Sequence, residues 1–257
     1  MNIETHFVEP VPRLAVSAAG VGELVLFLHG IRGERSNWNL QLPAFAKHFR
    51  AAAMDLRGYG DSEDYEGPLH FEHFAGDVLR VAEHFKSPKF HLVGLSMGGR
   101  VARNVAIHYP EHVKTLTLVS TNPGFDALSP EQVHQFVVER KSHSPELVKR
   151  LLGSRARPGV FEELSASVER LHEKSYLMTL EASVAQDRGA PIEKISAPTL
   201  IVAGSDDRVY PIELPREMAR RIPGAKLAIV EGAGHIVNME QPERFNEIAL
   251  EFLLARR

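Results

Sequence analysis

Cysteine is absent from this chain of 257 residues. That excludes disulfides, a thiolate nucleophile and thiolate ligation of a metal, and it fits a reducing cytoplasm, where the protein is expected. No apolar run reaches the roughly 18 residues needed to cross a bilayer. The opening "MNIETHFVEP" has no basic stretch followed by an apolar one, so no signal peptide is expected. Neither sign of charge dominates. Thirty Lys and Arg against 33 Asp and Glu leave a net charge of -3, which predicts no attraction to nucleic acid or to an anionic membrane surface. Internal repeats and low-complexity segments are also missing. What remains is an ordinary globular composition, 44% apolar and 25% charged, long enough for one large domain or a domain with an insertion.

Short apolar runs of strand length recur along the chain: "LVLFLHG" (24–30), "RAAAMD" (50–55), "FHLVGLS" (90–96), "VKTLTLVST" (113–121), "TLIVAGSD" (199–206) and "AKLAIVEGAG" (225–234). They are near-continuous rather than alternating, as expected of parallel strands buried on both faces. Helical patterns lie between them, over roughly 38–48, 71–85, 98–109, 212–221 and 242–255. This alternation predicts an α/β fold. "THFVE" and "RLAVSA" near the start suggest an antiparallel pair at the sheet edge. From about Gly124 to Ala190 the rhythm breaks: no strand-like run appears, and "SPEQ" (129–132) and "SPEL" (144–147) read as helix starts. The simplest organisation is a core of residues 1–123 and 191–257, interrupted by a helical insertion over 124–190. Such an insertion would lie at the carboxyl ends of the strands, where open α/β sheets bind ligands and where a lid is useful.

At the end of one strand-like run stands "GLSMGG" (94–99). Gly-x-Ser-x-Gly alone is weak; at ~7% each for Gly and Ser, a chain of this length contains it by chance about one time in ten. The context is specific, because an apolar strand precedes it and the helical pattern "GGRVARNVAIHYP" follows. A serine in that strand–turn–helix setting stands clear for attack on a carbonyl. Gly94 and Gly98 are expected to remove a collision between the strand and the helix that cross there. The first amides of the helix would face an oxyanion.

A serine hydroxyl needs a general base. Of 13 histidines, His235 has the distinctive setting: it follows a strand and small residues at 232–234, and a helix signal begins at Pro242. "HFEH" (70–73) spaces two histidines for metal on a helix, but no third ligand accompanies them, and a solvated face is the better reading. The base needs an orienting acid, and "IVAGSDDRVYP" (201–211) offers two, Asp206 and Asp207. Backbone amides must also meet the developing charge. Met97 follows the serine, and Ile31, in "HGIRGERSNW" (29–38), is the expected second donor. His29 reads as a residue that bonds loop backbone.

These segments together resemble the α/β-hydrolases over nearly the full chain. His29-Gly30 is similar to the family's oxyanion loop, "DLRGYGDS" (55–62) to its Asp-x-Arg-Gly-x-Gly-x-Ser segment, "GLSMGG" to its elbow, Gly204, Asp207 and Pro211 to its acid segment, and "GAGHIVNMEQP" (232–242) to its closing segment. The resemblance implies an eight-stranded, mostly parallel sheet flanked by helices, with a helical cap inserted after the sixth strand. It favours Asp207 over Asp206, giving Ser96, Asp207 and His235 in chain order. "GLSMGG" with "HIVNMEQP" is similar to the enol-lactonases of aromatic catabolism. "SNW" (36–38) and "ERFNEIALEFL" (243–253) are similar to the carbon–carbon hydrolases of ring meta-cleavage. Carboxylesterases of the fold are equally compatible, whereas dehalogenases use an aspartate where this chain has Ser96.

The activity expected is hydrolysis of a small ester or lactone, with cleavage of a vinylogous 1,5-diketone as the alternative. A binding protein on the same fold is the remaining reading, and the intact triad and oxyanion loop count against it. The chemistry requires no metal or organic cofactor. A small molecule is the expected partner, with no nucleic acid or membrane, and a homodimer is compatible. Arg32, beside the oxyanion donor, and Arg100, just after the elbow, could meet a substrate carboxylate. Trp38, Phe136, Phe161 and Tyr176 could line a pocket or fill the core. The basic residues Arg140, Lys141, Lys149, Arg150, Arg155 and Arg157 are mixed with glutamates and read as a solvated face.

Overall fold

The computed structural model describes residues 2–124, 129, 131, 134, 135, 137, 138, 145–186 and 191–256. Phe136, Arg140 and Lys141 lie outside the described residues, as does the start of the second Ser-Pro-Glu motif, at Ser144.

Eight strands form one sheet: β1 (Glu4–Val8), β2 (Leu14–Ala19), β3 (Leu24–Leu28), β4 (Arg50–Met54), β5 (Phe90–Leu95), β6 (Val113–Val119), β7 (Thr199–Gly204) and β8 (Lys226–Val230). Their order in space is β1-β2-β4-β3-β5-β6-β7-β8. β1 and β2 pair antiparallel, as does β2 with β4, and every pairing from β4 through β8 is parallel. The sequence expectation of an eight-stranded, mostly parallel α/β sheet therefore holds, including the antiparallel pair at the edge.

The strand sequences sort their side chains onto two faces. In β3, Leu24, Leu26 and Leu28 join one core with Val78, Val101 and Met218, while Val25 and Phe27 join a second with Phe45, Phe245 and Leu253. Helices α2 (Glu72–His84) and α3 (Met97–His108) cover the first face. Helix α1 (Leu42–Phe45) covers the second, together with the C-terminal helix Pro242–Leu254. Burial on both faces is why these strands carry no alternating pattern.

The helix expected over 38–48 is instead a 3₁₀ turn at Arg35–Trp38 followed by the single turn of α1. Pro43 explains the break, since a proline fits only the first turn of a helix, and it occupies that place in α1. Between β6 and β7 the chain forms α4 (Pro145–Lys149), α5 (Val160–Glu169) and α6 (Glu173–Ala185). After β7 come α7 (Glu213–Arg221), α8 (Val237–Glu240) and α9 (Pro242–Leu254). No helix among the described residues is long and apolar enough to cross a membrane.

Candidate active site

Ser96 links β5 to α3. Its backbone stands at φ 53° and ψ -114°, a conformation that a non-glycine residue adopts only when its surroundings force it. Its amide donates to Val119 O (2.9 Å), and its carbonyl accepts from Thr121 Oγ1 (2.7 Å), so the end of β6 holds the turn on both sides. The flanking glycines act differently from the expectation of a simple strand–helix collision. A Cβ on Gly94 would indeed meet α3, at 2.5 Å from the carbonyl carbon of Gly98. A Cβ on Gly98 would meet a neighbouring strand instead, 2.5 Å from both Leu28 O and His29 O. The second glycine thus lets α3 approach the exit of β3.

That exit is the loop "HGIRG" (29–33). A Cβ on Gly30 would lie 3.4 Å from the Cβ of Ser96, so the amide of Ile31 follows directly on a backbone in contact with the serine. Met97 opens α3, and a helix's first amides have no acceptor within the helix. Gly30, the residue before Ile31, thus packs against the Ser96 turn, and Met97 follows that turn directly. His29 fastens the loop: its Nδ1 pairs with Gly30 O (2.7 Å), and its Nε2 accepts from the amide of Leu56 (3.1 Å). Full burial holds its pKa below the ordinary value against the pull of Asp55, and its two ring nitrogens bind loop backbone, as expected from the sequence. Asp55 accepts from the Arg35 amide (2.6 Å), the Asp61 amide (2.9 Å) and the Arg35 guanidinium. "DLRGYGDS" is therefore the clamp on the far side of the same loop.

Asp207 and His235 come from the loops after β7 and β8. His235 Nδ1 lies 2.9 Å from Asp207 Oδ2, and both side chains are buried. Asp207 Oδ1 accepts from the amides of Val209 (2.8 Å) and Tyr210 (3.0 Å). Burial alone would raise the Asp207 carboxyl; the charge and hydrogen bond of His235, with those two amides, outweigh it and hold the group below its ordinary value. Asp206 points elsewhere, to the amide (2.9 Å) and hydroxyl (2.6 Å) of Ser154. Of the two adjacent aspartates, Asp207 is the one that meets the histidine.

The fold and these pairings delimit the family, and sequence comparison decides it. A model of the alpha/beta hydrolase family matches residues 25–248. This chain is an alpha/beta hydrolase. It is 27% identical over 240 residues to 3-oxoadipate enol-lactonase 2 of Acinetobacter baylyi, covering 90% of this chain and 88% of that one. It is 28% identical over 257 residues to 2-hydroxy-6-oxo-2,4-heptadienoate hydrolase of Pseudomonas putida, covering 92% and 91%. Among solved structures it is similar to a thermophilic esterase from Thermogutta terrifontis, with a TM-score of 0.86 at 28% identity and 99% of both chains covered.

The other described candidate residues of this hydrolase make contacts in the core and with the helices between β6 and β7. Trp38 is wholly buried, with its ring 4.9 Å from Phe27 and 5.9 Å from Phe245, so it fills the core on the α1–α9 face. Arg100 is buried, donates to Ser183 O in α6, and lies over the Phe71 ring at 5.5 Å. Arg32 donates through Nε to Tyr176 Oη in α6 (2.9 Å). Both arginines therefore tie the core to the helices between β6 and β7. His70 and His73 face one another edge to face at 5.3 Å. No group of three or more potential metal ligands occurs among the described residues. Sequence reasoning did not single out Glu240, which stands inside the closing motif; it is buried and accepts the Gly153, Gly234 and Ile236 amides.

Proposed function

We propose that this hydrolase cleaves a small carboxylic ester or lactone through Ser96, His235 and Asp207. The observation that carries the reading is the buried 2.9 Å pairing of His235 Nδ1 with Asp207 Oδ2, at the same edge of the sheet as the strained serine. Ser96 follows β5 and Asp207 follows β7. Two strand spacings of ~4.8 Å separate them, a gap of about 10 Å that one imidazole and its hydrogen bonds can bridge. His235 takes the proton of Ser96 as its oxygen attacks the carbonyl carbon. The amides of Met97 and Ile31 hold the oxyanion, and His235 returns the proton to the leaving alcohol. Water, deprotonated by His235, then releases the acid from the acyl-enzyme. Asp207 fixes the tautomer that presents Nε2 as the base and stabilises the imidazolium.

The helices between β6 and β7 serve, on this reading, as a cap over the strand ends, with residues 124–190 as its span. Several contacts support that role: Arg170 with Glu34 (3.0 Å), Asn37 with Ser167 (3.0 Å), Arg32 with Tyr176, and Ser154 with Asp206. Replacing Ser96 by Ala is expected to abolish hydrolysis of short p-nitrophenyl esters; retained turnover would overturn the assignment. The similarity to 2-hydroxy-6-oxo-2,4-heptadienoate hydrolase favours a second reading, carbon–carbon cleavage by the same residues. Loss of the colour of a ring-cleavage dienoate, at a rate exceeding ester hydrolysis, would select it.

A further inference from the structure

The loop that carries His235 is held from behind by a carboxylate that the ester chemistry does not use. Glu240, at the end of α8, is 1% exposed. Its Oε2 accepts from the amides of Gly153 (2.7 Å) and Gly234 (3.0 Å), and its Oε1 from those of Gly234 (3.1 Å) and Ile236 (3.1 Å). The amides on either side of His235 thus both end on one side chain. The amide of His235 itself donates to Leu151 O (2.7 Å). Three successive amides of the loop are anchored by Glu240 and by the chain just after α4. Both carboxylate oxygens already receive N–H donors, so a proton on either would displace a hydrogen bond. Burial pushes the carboxyl above its ordinary value, and the Gly153, Gly234 and Ile236 amides and the charge of His235 pull the other way.

We propose that Glu240 is a positioning residue for His235, placing the imidazole through the amides of residues 234 and 236 and supplying a second buried negative charge that favours the imidazolium formed when Ser96 gives up its proton. The inference rests on the triad reading above. Among the described residues, two groups contact the imidazole. Asp207 holds Nδ1, and the Tyr210 ring lies edge-on at 5.4 Å. Asp206 turns to Ser154. Arg155 packs its alkyl stem by Gly232, and Arg157 is paired with Glu163 at 2.5 Å. Glu240 is the carboxylate bonded to the histidine's own loop. Such outer partners orient a reacting group and set its charge preference without touching the substrate.

The test compares wild type, Glu240→Gln, Glu240→Asp and Ser96→Ala on p-nitrophenyl acetate across pH. Gln keeps the size and one acceptor oxygen but removes the charge. It is expected to lower kcat about 10- to 100-fold with KM held within about twofold. The acidic limb of the kcat/KM profile should move to lower pH by roughly half a unit or more. Asp keeps the charge but falls one methylene short, so kcat drops while the limb stays near its wild-type position; this arm carries the test if Glu240→Gln does not fold. A Gln variant with wild-type kcat, or one whose profile matches wild type after scaling, overturns the proposal, as does an Asp variant with undiminished kcat. Those results with an inactive Ser96→Ala enzyme would refute the role of Glu240 alone, whereas an active Ser96→Ala enzyme would refute the triad reading beneath it.

Discussion

Replacing Gly98 by Ala tests whether close backbone approach, rather than loop flexibility, explains the glycines around Ser96. The added methyl would sit 2.5 Å from Leu28 O and from His29 O. Side-chain carbons in proteins do not approach closer than about 3.0 Å, so α3 and the exit of β3 must separate by ~0.5 Å or more. Neither partner can yield by rotating a side chain, because both obstacles are backbone oxygens, one at the end of β3 and one just beyond it. Overpacking of this kind costs about 1–3 kcal/mol, which for a chain of this size lowers Tm by roughly 2–12 °C. The separation opens between Met97, on α3, and Ile31, just beyond β3, so it pulls the two proposed oxyanion donors apart. Losing one donor outright costs about 3–4 kcal/mol; a half-ångström displacement should cost about 1–2 kcal/mol, or ~5- to 30-fold in kcat. The control is Gly76→Ala in the middle of α2, where an added Cβ meets nothing within 4 Å. There Ala is expected to stabilise by about 0.5–1 kcal/mol and to leave kcat alone. Thermal melts and steady-state hydrolysis of p-nitrophenyl acetate measure both variants. Wild-type behaviour of Gly98→Ala, or equal damage from Gly76→Ala, would refute the steric argument.

Asp207→Asn keeps the shape of the acid but permits the wrong imidazole tautomer, and kcat should fall by roughly 10⁴-fold; a loss under tenfold would remove Asp207 from the mechanism. The same substitution has a signature in acid. The folded pKa of Asp207 is depressed, so its contribution to stability is present above the unfolded value near 3.8 and is lost as pH falls through the folded one. Urea titrations between pH 5 and ~2 should therefore show a shallower loss of stability for Asp207→Asn than for wild type, and parallel curves would contradict this. Trp38 is the single tryptophan and is wholly buried, so its emission should be blue-shifted, move only with global unfolding, and ignore a bound substrate analogue. Quenching by the analogue would return Trp38 to the pocket. Trp38→Ala should cost about 3–5 kcal/mol in chemical denaturation.

Much of this arrangement is legible in the sequence because parallel strands and tight turns leave strong local marks. The continuous apolar runs at 24–28, 90–95 and 199–204 mark strands covered on both faces, and the elbow announces itself by its place between a strand and a helix. Contacts that join distant segments leave no such mark. "DD" at 206–207 looks the same whichever carboxylate turns inward, and only the packing of the β7 and β8 loops sends Asp207 to His235 and Asp206 to Ser154. Arg32 follows Ile31 and Arg100 lies four residues after Ser96 in sequence, yet both reach the helices after β6, because a long guanidinium stem reports where it starts and not where it ends. The 38–48 pattern has helical periodicity, but Pro43 limits it to one turn. Glu240 follows His235 by five residues; its proposed role depends on a short turn folding the carboxylate back to the Gly234 and Ile236 amides, which spacing alone does not reveal.

The His235 loop is held by backbone packed on backbone, and this bears on how the proposed cap and the proposed chemistry divide their tasks. A Cβ on Gly153 would lie 2.5 Å from the carbonyl carbon of Ala233, one on Gly204 would lie 2.6 Å from the same atom, and one on Gly234 would lie 2.5 Å from the Gly153 amide nitrogen. Three segments, after α4, β7 and β8, therefore meet with no side chain between them. The Arg155 amide extends the seam by donating to Gly232 O (2.9 Å). Such a joint has no soft element to absorb a change, so a methyl at Gly153 must displace the His235 loop although residue 153 belongs to the helical segment. Gly153→Ala is expected to lower kcat with little change in KM. A change farther along the same segment should do the opposite: Tyr176→Phe removes the hydroxyl that accepts from Arg32 Nε and loosens the proposed cap, so KM should rise while kcat holds. Steady-state kinetics of the two variants on one ester separate these cases. If Gly153→Ala moved only KM, or Tyr176→Phe only kcat, the root of the cap would not be part of what holds the base.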